Sequence, residues 1–178
     1  MTGEPDGAGE TDLELGSDDL HSAEVDELAE RWSAAWTDGA GFADCCTAAV
    51  SYEDPLASRP LSGLDALERH AASLRTALPD ARVERTAPAL ARGGHACIPW
   101  RLLGTHRGEL ATLPATDRRL MLHGLHYVEL SHGRISRARG FFDLYDGSVQ
   151  LGLLPARGGF GEAALLMLRG FGLRRQTG

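Results

Sequence analysis

The 178-residue sequence contains no lysine; all 18 of its basic residues are arginine. Schiff-base chemistry through a lysine side chain is thereby excluded. Together with the abundance of Ala and Gly, the same bias suggests a GC-rich genome. Long hydrophobic runs are missing too. No stretch approaches the roughly 20 apolar residues of a spanning helix, so no membrane partner is expected. No basic segment followed by an apolar one opens the chain, so no secretory signal is expected. Cysteine is scarce, with Cys45, Cys46 and Cys97. An odd count without metal-ligand spacing fits a reducing cytoplasm. Cys45 and Cys46 read as small buried hydrophobes in a helix. Concentrated basic charge is absent: residues 1–30 contain no arginine, and Arg169, Arg174 and Arg175 are too few for a phosphate-binding face. No nucleic-acid partner is expected. No Gly-rich phosphate loop, His/Cys metal cluster or Ser-His-Asp signature is present, so neither metal nor cofactor is expected.

What is present suits one domain with a real core. Hydrophobic residues make up 43%, which rules out wholesale disorder. The net charge of −7 is uneven, and the acidic stretch 1–20 is expected to be a disordered tail. Residues 21–155 are expected to form the domain, and 156–178 a C-terminal extension. Gly158, Gly159 and Gly161 read as a linker in that extension.

Ser22 looks like an N-cap, with Glu24 and Asp26 in the first turn. Val25, Leu28, Ala29, Trp32, Ala35 and Trp36 then recur at helical spacing to about Thr37, and Asp38-Gly39 ends the helix. A short second helix is expected over Phe42 to Ala48. Val50 to Asp54 reads as a strand stopped by Pro55. Gly63 opens a helix with the face Leu64, Leu67, Ala71, Leu74 and Leu78, ended by Pro79-Asp80. Strands follow over Ala81 to Ala91 and Ala96 to Arg107. Arg119 to Leu130 and Arg134 to Phe142 form a hairpin through Ser131-His132-Gly133. Leu144 to Leu153 reads as a helical turn, and Ala163 to Leu173 as a short helix docked on this subunit or a second one. Helices first and antiparallel strands after is α+β order. A strongly twisted sheet with helices across one face makes a cone, whose hollow would hold a ligand.

Several stretches carry a resemblance. Arg31-Trp32-Ser33-Ala34-Ala35-Trp36, Ser51-Tyr52-Glu53-Asp54-Pro55 and Ser62-Gly63-Leu64-Asp65-Ala66-Leu67 resemble the opening half of ketosteroid isomerases. Trp100 to Gly108 with Pro114-Ala115-Thr116, and Gly133-Arg134-Ile135 followed by Asp143 and Gln150-Leu151-Gly152, resemble SnoaL-like polyketide cyclases. The resemblance spans roughly Glu24 to Pro155. It implies a nuclear-transport-factor-2-like fold: a cone-shaped, curved antiparallel or mixed sheet wrapped around N-terminal helices, with one ligand cavity. It also implies a homodimer formed through the outer sheet face. Fold alone does not fix an activity.

By the match to ketosteroid isomerases, Asp54 would be a general base, its pKa raised by a poorly solvated position at the pocket mouth. Asp54-Pro55 could equally just shape the turn. The isomerases' dienolate-stabilising Tyr and protonated Asp fall at Trp32 and Leu125, and leucine donates no hydrogen bond. Steroid isomerisation by the same machinery is therefore not expected. Arg139 to Asp143 also resembles limonene-epoxide hydrolases, whose catalytic carboxylate falls at Gly140. A looser epoxide-opening activity would need a second acid, Glu84 or Asp80, facing Asp54. Asp143 resembles the acid/base Asp of SnoaL-like cyclases; the alternative is a cap for the following turn. His106 either sits at the pocket rim as a proton relay or lies at the surface. Tyr52 lies two residues before Asp54 and could point into the same cavity. His123, Leu125 and Tyr127 share parity and are expected on the pocket face, with His126 opposite. Trp32, His70, Trp100 and Phe142 complete the expected substrate wall; helix packing is the alternative for His70. The expected function is cofactor-independent acid–base cyclisation or isomerisation of a hydrophobic polyketide- or terpenoid-like intermediate in secondary metabolism. The alternatives are a non-catalytic binding or scaffold protein and an epoxide-opening cyclase or hydrolase.

Overall fold

The structure, a computed structural model, describes residues 22–110 and 112–168. The expected tail over 1–20 and the chain after Leu168 lie outside the described residues. Two helices come first, α1 (Ser22–Thr37) and, after strands β1 (Cys46–Glu53) and β2 (Leu61–Ser62), α2 (Leu64–Ala77). Strands β3 (Arg82–Arg85), β4 (Leu90–Arg92), β5 (His95–Thr105), β6 (Arg119–Ser131) and β7 (Arg134–Phe142) follow. Helices α3 (Leu144–Gln150) and α4 (Phe160–Leu168) close the described chain.

The strands form one mixed sheet in the order β2-β1-β7-β6-β5-β3, with β4 also paired to β5. Among the described strands only β1 and β7 run parallel; the other pairs are antiparallel. The β6–β7 hairpin turns at His132 and Gly133, both with positive φ, as a tight two-residue turn requires.

Helices α1 and α2 lie across the inner face of the sheet. Their apolar stripes explain why. Val25, Leu28, Ala29, Trp32, Ala35 and Trp36 of α1 and Leu67 and Ala71 of α2 are buried against Val50, Tyr52, Ile98, Val128, Ile135 and Ala138. Each large side chain so buried stabilises the fold by about 1.5–3 kcal/mol relative to exposure. A second cluster, Ala77, Leu78, Trp100, Leu102, Leu120, Leu122 and Leu151, covers the other end of the same face.

Three expectations are corrected. The segment expected as a helix over Phe42 to Ala48 is a single 3-10 turn at Phe42–Asp44, and β1 begins at Cys46. Backbone pairing to β7, including the Ile135 N–H to the Cys45 carbonyl at 2.9 Å, overrides the helical preference of Ala48 and Ala49. Cys45 and Cys46 are buried as expected, but not in a helix. The long strand expected over Ala81 to Ala91 is broken into β3 and β4. Pro88 has no N–H for the ladder, and the Ala89 N–H turns instead to the Asp26 carboxylate at 2.9 Å. Helix α4 starts at Phe160, earlier than expected, and within the described residues it buries no side chain.

Candidate active site

Beyond the end of β1, Asp54 folds back on its own turn. Its Oδ1 accepts the backbone N–H groups of Leu56 and Ala57, both at 2.8 Å. Its Oδ2 faces the interior, where it accepts the Tyr52 hydroxyl at 3.1 Å and His70 Nε2 of helix α2 at 2.8 Å. One Asp54 oxygen thus shapes the turn, and the other faces the interior. The Asp54 side chain is only 5% exposed.

Burial pushes the Asp54 pKa up, but the hydrogen bond and charge of His70 and the N–H groups of Ala57 and Leu56 outweigh it, and the net direction is down. The expected rise is corrected: the carboxylate is poorly hydrated but fully hydrogen-bonded, and bonds to the charged form favour it. An ionised Asp54 requires the proton of the contact to sit on His70 Nε2. In the neutral ring, Nδ1 then keeps the basic lone pair. The Tyr52 hydroxyl is pushed well up, first by burial and then by the Asp54 charge, so it stays protonated and donates.

A second histidine lies behind this pair. His126 of β6 accepts the Trp32 indole N–H on Nδ1 at 3.1 Å. Its ring stacks on Trp36, 8° from parallel at 5.6 Å. Its Nε2 lies 3.5 Å from the Tyr52 hydroxyl. Burial lowers its pKa to about 3, opposed by the Asp54 charge, so it is neutral at ordinary pH. Gly140, paired with His126 across β6–β7, makes this packing possible. A Cβ there would stand 2.8 Å from the Tyr52 hydroxyl and 3.2 Å from the Asp54 Cβ.

These groups sit at one end of a cavity of about 480 Å³. Asp54, His70, Tyr52, Trp36 and His126 form its polar end; the rest of the wall is largely leucine, with Trp100 and Phe142 between. Trp100 lies flat over Gly124, where an added Cβ would be 2.2 Å from its ring. The loop after β5 contributes Leu110 and Leu113. It is pinned by the Arg107 and Gly108 N–H groups, which both donate to the Ala77 carbonyl at the end of α2. Helix α3 contributes Leu144 and Ser148 to the lining, and Leu151 follows at its C-terminal end. Among the described residues, Asp54 is the only acid and no arginine is part of the lining.

The structure brings together Asp54, Tyr52, His70, Trp100 and Phe142 around this cavity. It does not bring the others. Asp143 is exposed and caps α3, accepting the Asp146 N–H at 2.9 Å; the cap was its alternative reading. His106 is fully buried rather than at a rim or surface, and its Nδ1 accepts the Thr116 N–H at 3.2 Å. His123, Leu125 and Tyr127 lie on the outer face of β6, where the Tyr127 hydroxyl meets His95 Nδ1 at 2.7 Å. Trp32 stands behind His126 and not in the lining. Glu84 pairs with Arg101 and Asp80 with Thr105, so neither supplies a second acid across from Asp54.

Sequence reasoning missed His126 and Trp36. A signal for His126 was available. Arg119 and Glu129 share the parity of His123, Leu125 and Tyr127, whereas Leu120, Leu122, His126 and Val128 share the other. Charges at both ends of one row mark it as the outer face.

Residues 25–151 match the family described as SnoaL-like polyketide cyclase. No curated protein sequence matches the chain. Among solved structures, TsrD from Streptomyces laurentii superposes with a TM-score of 0.68 at 20% identity, over 76% of this chain and 100% of that one. A candidate SnoaL-like polyketide cyclase from Jannaschia sp. CCS1 gives 0.66 at 16% identity, over 78% and 96%. A protein of ketosteroid isomerase-like fold from Catenulispora acidiphila, in complex with trimethylamine, gives 0.60 at 19% identity, over 71% and 93%. At these identities the likeness is one of fold.

Proposed function

This chain belongs to the SnoaL-like polyketide cyclase family, and on that premise we propose that it is a cofactor-independent acid–base enzyme acting on a neutral, hydrophobic carbonyl compound. The observation that carries the reading is the 2.8 Å contact between His70 Nε2 and Asp54 Oδ2 at the polar end of a leucine-lined cavity. In this reading His70 is the proton carrier and Asp54 holds it. His70 Nδ1 takes a proton from the carbon beside a carbonyl, and the ionised Asp54 stabilises the imidazolium through Nε2. The carbon electron pair then closes a ring onto a second carbonyl of the same molecule, or is reprotonated elsewhere. His70 returns its proton to the resulting alkoxide or carbon, so no external oxidant or reductant is needed.

The negative charge of Asp54 disfavours carboxylate substrates, because among the described residues no arginine lines the cavity to meet a second anion. A polyketide- or terpenoid-like intermediate of secondary metabolism fits the apolar wall. The test is proton exchange at the α-carbon of 2-tetralone in deuterated buffer, followed by NMR. The protein should accelerate exchange over buffer alone, and His70→Asn and Asp54→Asn should each reduce that acceleration by about 100-fold or more. No acceleration, or acceleration that survives both substitutions, would leave a binding or scaffold protein as the better reading.

A homodimer in the cytoplasm belongs to the same proposal. Met121 and Phe141 on the outer sheet face are 46% and 47% exposed, and Leu166, Met167 and Leu168 of α4 are exposed as well. Light scattering at micromolar concentration should give twice the monomer mass.

A further inference from the structure

We propose that His126 forms an oxygen-binding subsite, in which its Nε2–H donates a hydrogen bond to the carbonyl oxygen of the substrate and to the enolate that develops there. The inference rests on the acid–base reading of His70 and Asp54 and adds the group that receives the negative charge.

The argument begins with the tautomer. Trp32 Nε1 carries a hydrogen and can only donate, so the His126 Nδ1 it contacts at 3.1 Å must accept. The single proton of the neutral ring is therefore on Nε2. That proton has a poor partner within the protein. The Tyr52 hydroxyl oxygen, whose own hydrogen goes to Asp54, can accept it, but at 3.5 Å it lies at the outer limit of a hydrogen bond. The His126 ring is part of the cavity wall, next to the polar end. A buried donor held by one long hydrogen bond, on a ring that lines a cavity, is better satisfied by a ligand oxygen at closer range.

The neighbouring donors do not compete. Among the described residues the Nε1 atoms of Trp36 and Trp100 lack partners, but both are buried within the wall itself. His70 Nε2 is taken by Asp54. Burial keeps His126 neutral, with its pKa down to about 3, in spite of the Asp54 charge. A neutral donor fixed in place can stabilise an enolate without giving up its proton, and preorganised donors in a dry site act without reorganisation at the moment of reaction. The substrate class follows: an enolisable ketone or ester whose oxygen reaches His126 while its α-carbon faces His70.

The test uses 2-naphthol, a planar analogue of the enol of 2-tetralone, and naphthalene, which has the same apolar body and no oxygen. The wild-type protein should bind 2-naphthol about tenfold tighter than naphthalene, as one buried hydrogen bond predicts. His126→Phe should remove most of this preference while naphthalene still binds. Should that variant fail to fold, Trp32→Phe keeps the imidazole, frees its tautomer and should weaken the preference several-fold. In the wild-type protein the 15N signal of His126 Nε2 should carry the proton and move when 2-naphthol is added. A preference untouched by His126→Phe, or an Nε2 signal unmoved at saturation, overturns the proposal. So does a preference lost in His70→Asn and retained in His126→Phe, which would place the oxygen on His70 and leave the acid–base reading standing. A preference that depends on His126, with no catalysed exchange of 2-tetralone, would support the subsite and remove the enzyme.

Discussion

The two ends of the inner sheet face are made by the same strands and filled in different ways. At one end, Trp32, Trp36 and Phe42 pack edge to face within 5.5 Å of one another and close the space beneath β1 and β7. At the other, β5 and β6 present Leu102, Leu120 and Leu122 to an unfilled volume. The helices explain the difference. Aromatic side chains of α1 reach the first end, whereas the second is covered by the smaller side chains of the end of α2, by the short α3 and by the pinned loop after β5. The polar groups sit at the junction, where the aromatic wall can hold their orientation and the cavity can deliver a ligand. The comparison teaches that the packed end serves the site by fixing His126 and Tyr52, and that the open end serves it by leaving room.

Breaking the packed end should cost the most. Trp32→Ala removes a fully buried indole and strips His126 Nδ1 of its donor. Urea unfolding should show a loss of about 3–5 kcal/mol. Filling the open end should do the reverse. Leu122→Trp adds atoms to empty volume, so stability should change by less than about 1.5 kcal/mol. Naphthalene affinity should nonetheless fall by roughly thirtyfold, about 2 kcal/mol on the binding scale. Titration calorimetry checks the second outcome and unfolding the first.

The junction should have its own pH signature. His126 has a folded pKa of about 3, lowered from 6.5 by burial. Below pH 6.5 the unfolded chain takes up a proton that the folded chain refuses, so stability falls as pH drops from 6.5 toward 3. Between pH 7 and pH 5 the loss from this one group should be about 2 kcal/mol. His126→Phe should remove that component and flatten the profile, which would sharpen the contrast between a dry, packed junction and the wet mouth of the cavity.

How much of this was legible in the sequence follows the range of the interactions. The amphipathic faces of α1 and α2 and the β6–β7 hairpin depend on local period and turn residues, and they could be read directly. The start of β1 could not, because its pairing partner β7 lies some ninety residues away in the chain. At the site, Asp54, Tyr52 and His70 stood out by residue type and spacing. Their meeting at one oxygen required the geometry of β1 against α2. The inner row of β6 was misread because the resemblance put Leu125 in the pocket, although Arg119 and Glu129 in the same row pointed outward. Asp143 stood out by its resemblance to the acid/base Asp of SnoaL-like cyclases and His106 by sharing the parity of Ile98, Trp100 and Leu102; neither signal separates a pocket residue from a helix cap or a fully buried side chain.

The central claim is that His70 and Asp54 act as one unit in moving a proton. A double-mutant cycle on 2-tetralone exchange tests it most directly. If they act together, His70→Asn combined with Asp54→Asn should be no slower than His70→Asn alone, within about twofold, since removing one member of a unit already disables it. Losses that multiply across the two substitutions would contradict the account, because two groups that fail independently are not the pair described here.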